Sequence, residues 1–384
     1  MNYKIKNLSY YIIAIVLALA IIGVFMVKDA SSVWAKYLYD DEFYFFKRQI
    51  IFLVIGIVVF CIGYFVNTTL LYRFSKLMLY ISLALLGLVL IPGVGVVKNG
   101  SRSWFGIGSF GFQPSELFKI VFLIYASRFL AENYEKTMSL KTFLPLFFYA
   151  GLGFVLTMLE PDFGTALVTM MGLAMLIFIS KLKVRYFVGM GGLCVVGFVV
   201  LIATEPYRFL RITAFLNPYD DPLGAGFQII QSLYAIGPSG LTGLGFNGSL
   251  QKHFYLPEPQ TDFIFAIIIE EFGIIGGFII LLLYGTLFYL CYKYALKSTS
   301  VFNCYLKLSL TNVIMMQTLI NLCVVVGLLP VTGITLPLIS YGGSSMLITL
   351  FAFGIIASKG DLNENSIISR HHRWSHFTFT KDSK

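Results

Sequence analysis

Ten apolar runs occupy most of this chain, at about residues 10–27, 50–66, 74–91, 117–131, 143–159, 166–179, 187–203, 263–290, 306–329 and 340–357. A helix needs roughly 20 such residues to cross the ~30 Å hydrocarbon of a bilayer, and most of these runs approach or exceed that length. With 58% hydrophobic and 12% charged residues and a mean hydropathy of +0.82, the chain carries more apolar surface than one water-soluble interior can bury. In hydrocarbon every backbone polar group must be satisfied within its own segment, which selects helices. The expectation is an all-α, polytopic integral membrane protein of about ten helices. Residues 1–358 form a single transmembrane domain, with a large outer loop at about 204–262 between helices seven and eight. A basic, disordered cytoplasmic tail follows at 359–384.

Lys and Arg collect in cytoplasmic loops, so their distribution sets the orientation. With both termini inside, eighteen fall on the inner side and nine on the outer side, and Lys119 lies within the fourth run. The first run lacks a small-residue cleavage site and reads as a retained span. A net charge of +9 is then a sorting signal and a match to anionic lipid headgroups; no aromatic-interleaved basic stripe points to nucleic acid. The five cysteines show no metal-ligand spacing. GLGFNG at 243–248 fits G-x-G-x-x-G but follows no strand, so it reads as a flexible outer loop rather than a nucleotide site.

Inner loops are short and basic. The outer ones gather Pro, Gly, acids and amides: GSRSWFGIGSFGFQPSELFK from Gly100, LEPDFGT from Leu159, the segment 204–261, and LPVTGITLPLISYGGSS from Leu329. Turning the chain does not require this composition, whereas a site assembled at one membrane face does. Glu116 and Lys119 share a helical face, as structural neutralisation or as a functional pair. Asp162 stands where it can cap the sixth helix. Asp262 precedes the eighth, after a loop braced by Pro257 and Pro259, and reads either as a cap or as a base. Below it Ala266, Ile269 and Gly273 form a strip that can border a groove, and Ser249 is expected to be accessible from outside.

GSRSW with QPSELFK, LEPDFGT, DPLGAGFQIIQSLYAIG, GSLQKHFYLPEPQTDFIFA with EEFG, and LPVTGITLPLISYGGSS, in this order, resemble the SEDS family (shape, elongation, division and sporulation) from residue 31 to 357. ASSVWAKYLYDDEFYFFKRQ and YLPEPQTDFIFA are closer to its FtsW and SpoVE branch than to RodA. Ser103 stands where a second basic residue is common, and Asn247-Gly248 reverses the usual order. The resemblance implies a peptidoglycan glycosyltransferase that polymerises lipid II into glycan strands outside the cytoplasmic membrane of a bacterium, in septal wall synthesis for division or sporulation. It implies lipid II, lipid-linked nascent glycan, membrane lipids, a class B penicillin-binding protein and other division proteins as partners, and enrichment at the septum. It implies Asp262 as catalytic residue and a cavity lined by Arg102, Trp104, Gln113, Ser115, Glu116, Lys119, Asp162, Gln231, Lys252, Glu258, Thr261, Ser340, Gly342, Gly343 and Ser344.

The residues themselves suit that chemistry. A lipid-linked disaccharide has its chain in the bilayer, its diphosphate at the interface and its sugars in water, so its polymerase needs interfacial cations and an outer acid or base. Arg102 and Lys252 are the cations expected to meet the diphosphate. No tightly bound cofactor is expected; a divalent cation, Mg²⁺ or Mn²⁺, can share the phosphate charge, and no ligand set for it is legible. A lipid II flippase or a non-catalytic division scaffold are the alternatives. The bland inner loops speak against the flippase, which needs polar groups on both sides.

Overall fold

The structure, a computed structural model, describes residues 3–98, 101–107, 110–134, 140–180 and 206–359. Its helices are α1 (Tyr3–Tyr39), α2 (Tyr44–Phe65), α3 (Thr68–Val89), α4 (Pro114–Glu132), α5 (Leu140–Leu159), α6 (Phe163–Ile179), α7 (Pro206–Leu216), α8 (Phe227–Ile236), α9 (Ile264–Ala295), α10 (Val301–Val325) and α11 (Gly343–Ala357). Six of them are long and apolar enough to cross a membrane, and α6 and α11 are shorter apolar helices. The chain is a polytopic, mainly helical membrane protein. Nine of the ten expected spans correspond to described helices; the seventh, at 187–203, lies outside the described residues, as does the tail from residue 360.

The two ends of the described chain meet. Ser9 Oγ donates to Ala357 O at 2.7 Å, placing the start of α1 beside the end of α11. Lys307 Nζ and the Tyr294 hydroxyl both donate to Ser358 O, at 3.1 and 2.9 Å, on the same side. An even number of crossings must separate two ends that share a side, as ten spans require.

Helices α2 and α11 make the most extensive pairing, and small residues let them close. A Cβ on Gly354 would sit 2.3 Å from Phe60 O, and one on Gly63 2.5 Å from Phe351 O, so only glycine permits this backbone approach. Most of the α2 surface is open to lipid, whereas α10 is buried along most of its length, with Asn312, Gln317, Thr318 and Asn321 inside the bundle. Polar side chains on a buried span find protein partners there, which lipid does not offer.

Residues 96–112 depart from an all-helical expectation by forming a small antiparallel sheet, β1 (Val96–Lys98), β2 (Ser101–Ile107) and β3 (Phe110–Phe112), in the order β1-β2-β3. Val96 pairs with Trp104 and Gly106 with Gly111. The alternation Ser101-Arg102-Ser103-Trp104 is the period-2 signal of a strand.

Helix α9 is kinked at Gly273, whose φ of +65° a residue with a side chain adopts at a cost. The kink frees carbonyls, and the loop 240–245 takes them: Leu244 N donates to Glu270 O and Gly245 N to Glu271 O, both at 2.9 Å. GLGFNG is therefore a docked loop and not a flexible one. Its Gly243, at φ +73°, lies so close to Glu271 that a Cβ would stand 2.3 Å from the backbone.

Candidate active site

The four outer segments converge, in two linked clusters. In the first, Asp162 Oδ1 accepts from Thr165 N at 3.1 Å, the N-cap of α6 anticipated from the sequence. Its Oδ2 accepts from Gln113 Nε2 and Ser115 Oγ, each at 2.8 Å, at the start of α4. Gln113 N donates to Ser344 Oγ at 3.1 Å, and Ser344 Oγ donates to Gly111 O at 2.9 Å, so the first turn of α11 is tied to β3. Ser101 and Ser103 point to one side of β2 and donate to Glu160 O, Ser103 at 2.7 Å. Position 103 is buried and its hydroxyl donates to a carbonyl, a contact that a small polar side chain makes there. Neither carboxyl oxygen of buried Glu160 has a hydrogen-bond partner among the described residues. Burial, with Asp162 adding repulsion, pushes this carboxyl up to about 9, so it is neutral at physiological pH.

Arg102 and Trp104 point to the other side of β2 and are half-buried. Arg102 Nη1 reaches Leu90 O at 3.4 Å, while its Nε is buried with no hydrogen-bond partner among the described residues.

The second cluster surrounds Asp262. Its side chain does not cap α9: the N-cap position is Phe263, without a side-chain hydrogen bond. Three residues, one on α10 and two on the segment before α11, hold the backbone beneath it. Asn321 Nδ2 donates to Asp262 O at 2.8 Å and to Ile334 O at 2.7 Å; Ser340 Oγ donates to Thr261 O at 2.6 Å; Tyr341 N donates to Gln260 O at 2.8 Å. Thr261 Oγ1 turns back to Glu258, whose φ is +50°. Such a conformation on a non-glycine residue persists only where its surroundings over-determine it. The Asp262 carboxylate remains partly exposed, ringed by protein, with Oδ2 3.7 Å from where a Cβ would stand on Gly333. Desolvation first, then the Glu258 charge, push its carboxyl up to about 7, and the Arg211 guanidinium opposes them. A carboxylate with a proton affinity near neutrality is suited to general-base work.

Thr335 Oγ1 and Ser345 Oγ, 3.1 Å apart, link the clusters, and Gln317 Nε2 donates to Thr335 O at 3.1 Å. Gln317 Oε1 also receives Lys119 Nζ at 2.7 Å, and Lys119 pairs with Glu116 at 2.9 Å. Both charges are buried and satisfied within the protein, so this pair fastens α4 to α10.

Several expectations change. Lys252, expected to meet a diphosphate, is 1% exposed, with Nζ 3.0 Å from Asp29 Oδ1, 3.1 Å from Glu271 Oε1 and 2.7 Å from Asn247 Oδ1. Its ammonium is committed to protein acceptors, which also gives the reversed Asn247-Gly248 order a use. Ser249 is buried and bonded to Glu270 and Glu271, so it is not an accessible outer position. The strip below Asp262 borders no groove: Ala266 and Ile269 are buried, and Gly273 is covered by the backbone of Leu241. Gly342 is the N-cap of α11, and Gly343 packs on the Phe52 ring, 2.7 Å from its Cβ position, rather than lining open space. Gln231 lies half-buried on α8. One residue not singled out from sequence, Asn321, stands at the Asp262 cluster, and a polar residue inside an apolar run is the signal that marks it. Among the described residues no group of three or more His, Cys, Asp or Glu side chains is arranged to hold a metal ion.

A polytopic bundle whose one face presents a desolvated, uncapped carboxylate beside a cation defines a membrane protein with an interfacial site. The family model of cell cycle proteins FtsW, RodA and SpoVE matches residues 9–362, and the chain belongs to this family. It is 46% identical over 357 residues to stage V sporulation protein E of Bacillus subtilis, covering 93% of this chain and 98% of that one. It is 40% identical to a probable peptidoglycan glycosyltransferase FtsW of Thioalkalivibrio sulfidiphilus, covering 89% and 86%. Among solved structures, a chain from a peptidoglycan synthase complex described as coordinating polymerization and crosslinking superposes with TM-score 0.75 at 31% identity, covering 93% and 98%. The rod shape determining protein RodA of Thermus thermophilus superposes with TM-score 0.66 at 26% identity, covering 90% of this chain and 94% of that one.

Proposed function

We propose that this chain is a peptidoglycan glycosyltransferase that polymerises lipid II at the outer face of the bacterial cytoplasmic membrane, with Asp262 as general base. Its kinship with peptidoglycan glycosyltransferases and with a sporulation protein supports the activity and a septal role in division or sporulation. The observation that carries the site is the Asp262 carboxylate: uncapped, partly exposed, and held near neutrality by desolvation and Glu258. In the step proposed, Asp262 takes the proton of an acceptor sugar hydroxyl as that oxygen attacks the anomeric carbon of the donor. The bond from that carbon to the diphosphate oxygen breaks, and the polyprenyl diphosphate leaves with the electron pair. Arg102, with Trp104 beside it in β2, stays the proposed contact for lipid-linked phosphate; it is only half-buried, whereas Lys252 is enclosed by protein acceptors. The Asp162 cluster, with Gln113, Ser115 and Ser344, shapes the neighbouring wall. A divalent cation, Mg²⁺ or Mn²⁺, arriving on the diphosphate belongs to this reading, as does a class B penicillin-binding protein that crosslinks the product, by likeness to the peptidoglycan synthase complex.

The test is purified protein in detergent, where transport has no meaning, supplied with lipid II. Glycan strands that vanish on Asp262→Asn support the reading; a preparation that moves lipid II across vesicles but never polymerises it reverses the order with the flippase.

A further inference from the structure

The outer end of α1 and the start of α2 carry a run of aromatic rings that begins beside the Asp262 cluster. Tyr341, whose N donates to Gln260 O, meets the Phe45 ring edge-on with 4.9 Å between centroids. Phe45 in turn meets Tyr44 at 5.2 Å and Tyr39 at 5.9 Å, and Tyr39 and Tyr44 stack face to face at 3.6 Å. Gln49 Nε2 donates to Ser340 O at 3.2 Å, which fixes α2 to the same segment that supports Gln260 and Thr261. The rings form one ridge, rising from the backbone support of Asp262 to Tyr39, which is 48% exposed. Arg48 lies over the Tyr44 ring, 4.3 Å from its centroid, and acts electrostatically on the Tyr341 hydroxyl.

The ridge stands outside the part of α1 that a bilayer needs. At 37 residues α1 is about 55 Å long, whereas roughly 20 residues cross ~30 Å of hydrocarbon. Ser9 holds the inner end beside Ala357, so a crossing of that length ends near residue 30 and Tyr39 stands roughly 13 Å beyond it. Rings that anchor a helix in lipid sit at the interface itself. Rings farther out, joined to the site, suit a sugar polymer: each pyranose has an apolar C–H face that an aromatic face covers, with its hydroxyls left in water. Peptidoglycan sugars also carry peptides with free carboxylates, which a guanidinium can meet. The acids of the α1–α2 turn do not oppose this, because Asp40 pairs with Lys36 at 2.6 Å and Asp41 with Lys47 at 2.7 Å. We infer that this ridge is a track for the glycan already made, with sugar rings on Tyr44 and Tyr39 and an acidic peptide substituent toward Arg48. Weak contacts along one strand keep it at the enzyme between additions, since each is intramolecular once another is made. The inference rests on the glycosyltransferase reading above and adds a binding surface outside the reacting site.

The experiment measures strand length and the rate of lipid II consumption by the full chain in detergent. Wild type is compared with Tyr39→Leu/Tyr44→Leu, which removes the stacking faces, and with Tyr39→Phe/Tyr44→Phe, which keeps them. Losing the stacked contacts speeds strand release, so the mean strand of the Leu variant is about fivefold shorter, with consumption changed less than about twofold. The Phe variant makes strands of wild-type length. Tyr39→Leu alone, at the exposed tip, shortens strands in the same direction and serves if the double variant does not fold. Wild-type strand length in a folded Leu variant removes the track and leaves the enzyme reading intact, and equal shortening in the Phe variant removes stacking as its basis. Strands that are short in detergent but of wild-type length in lipid nanodiscs assign the rings to lipid instead. Wild type that makes no glycan removes the enzyme reading itself.

Discussion

Asp262 and Glu271 stand nine residues apart at the outer end of one helix and its approach, yet their surroundings are opposite. Glu271 is fully buried, shares Lys252 with Asp29 of α1, and accepts from Ser249 N, so its charge is spent on joining three segments. Asp262 receives its hydrogen bond on the backbone carbonyl, from Asn321, and keeps its carboxylate for whatever enters from outside. A buried charge held in an ion pair is a fastener, whereas a partly exposed carboxyl that is only influenced by a nearby guanidinium stays open to what approaches it. The difference is made by the loop 247–252, which delivers Lys252 to one acid and not to the other.

The comparison breaks first at its reactive end. Asp262→Asn should cut polymerisation by about 10²–10⁴, the usual worth of a general base, in a protein that still inserts and elutes as a single species. Stability should not fall. A carboxyl whose folded value is raised to about 7 favours the fold while protonated and loses that contribution as pH rises from the ordinary range through 7, so at pH 8 the Asn variant should melt no lower than wild type. Equal polymerisation by Asp262→Asn would return the residue to a structural part.

At the fastening end the effect belongs to stability. Lys252→Met leaves Asp29 and Glu271 facing each other in a buried site and should cost about 3–5 kcal/mol, read as a large drop in melting temperature in detergent. Adding Asp29→Asn and Glu271→Gln should restore most of it. A Lys252→Met enzyme of normal stability with a specific defect in lipid II binding would instead return Lys252 to the substrate.

Smaller shifts sharpen the contrast. The rate should rise with pH through about 7 as Asp262 loses its proton, and Arg211→Gln, which removes the cation that favours the charged form, should move that limb to higher pH. A limb that does not move separates Arg211 from the base. Asn321→Leu strips a hydrogen bond from Asp262 O and another from Ile334 O and should lower kcat about tenfold, since each such bond is worth roughly 1 kcal/mol. Asn321→Ser should recover less than Asn321→Gln. The smallest perturbation is a topology probe: in a cysteine-free chain, Leu223→Cys, at a position 88% exposed, should react with an impermeant reagent from outside, where Ser249→Cys stays protected by its burial.

Much of this was legible beforehand. The spans, the convergence of the outer motifs, the Asp162 cap and the prominence of Asp262 all follow from local signals: apolar length, Pro and Gly placement, and an acid at a helix entrance. The sheet at 96–112 was missed because glycines mask a short alternation inside a membrane chain. Asp29 carries no local signal, being one acid in a long helix, and Asn321 is marked only as a polar residue in an apolar run, which does not say what it bonds.

Residence in a bilayer and the approximate course of each span were determined by the sequence alone, because hydropathy adds along the chain and a helix satisfies its own backbone wherever its neighbours lie. Which cation meets which carboxylate was decided only in the tertiary structure. Lys252 and Asp29 are separated by 223 residues and become partners when α1 packs on α9, whereas Lys252 and Asp262 are ten apart and never meet. Electrostatic energy depends on distance and burial in space, and sequence separation carries neither.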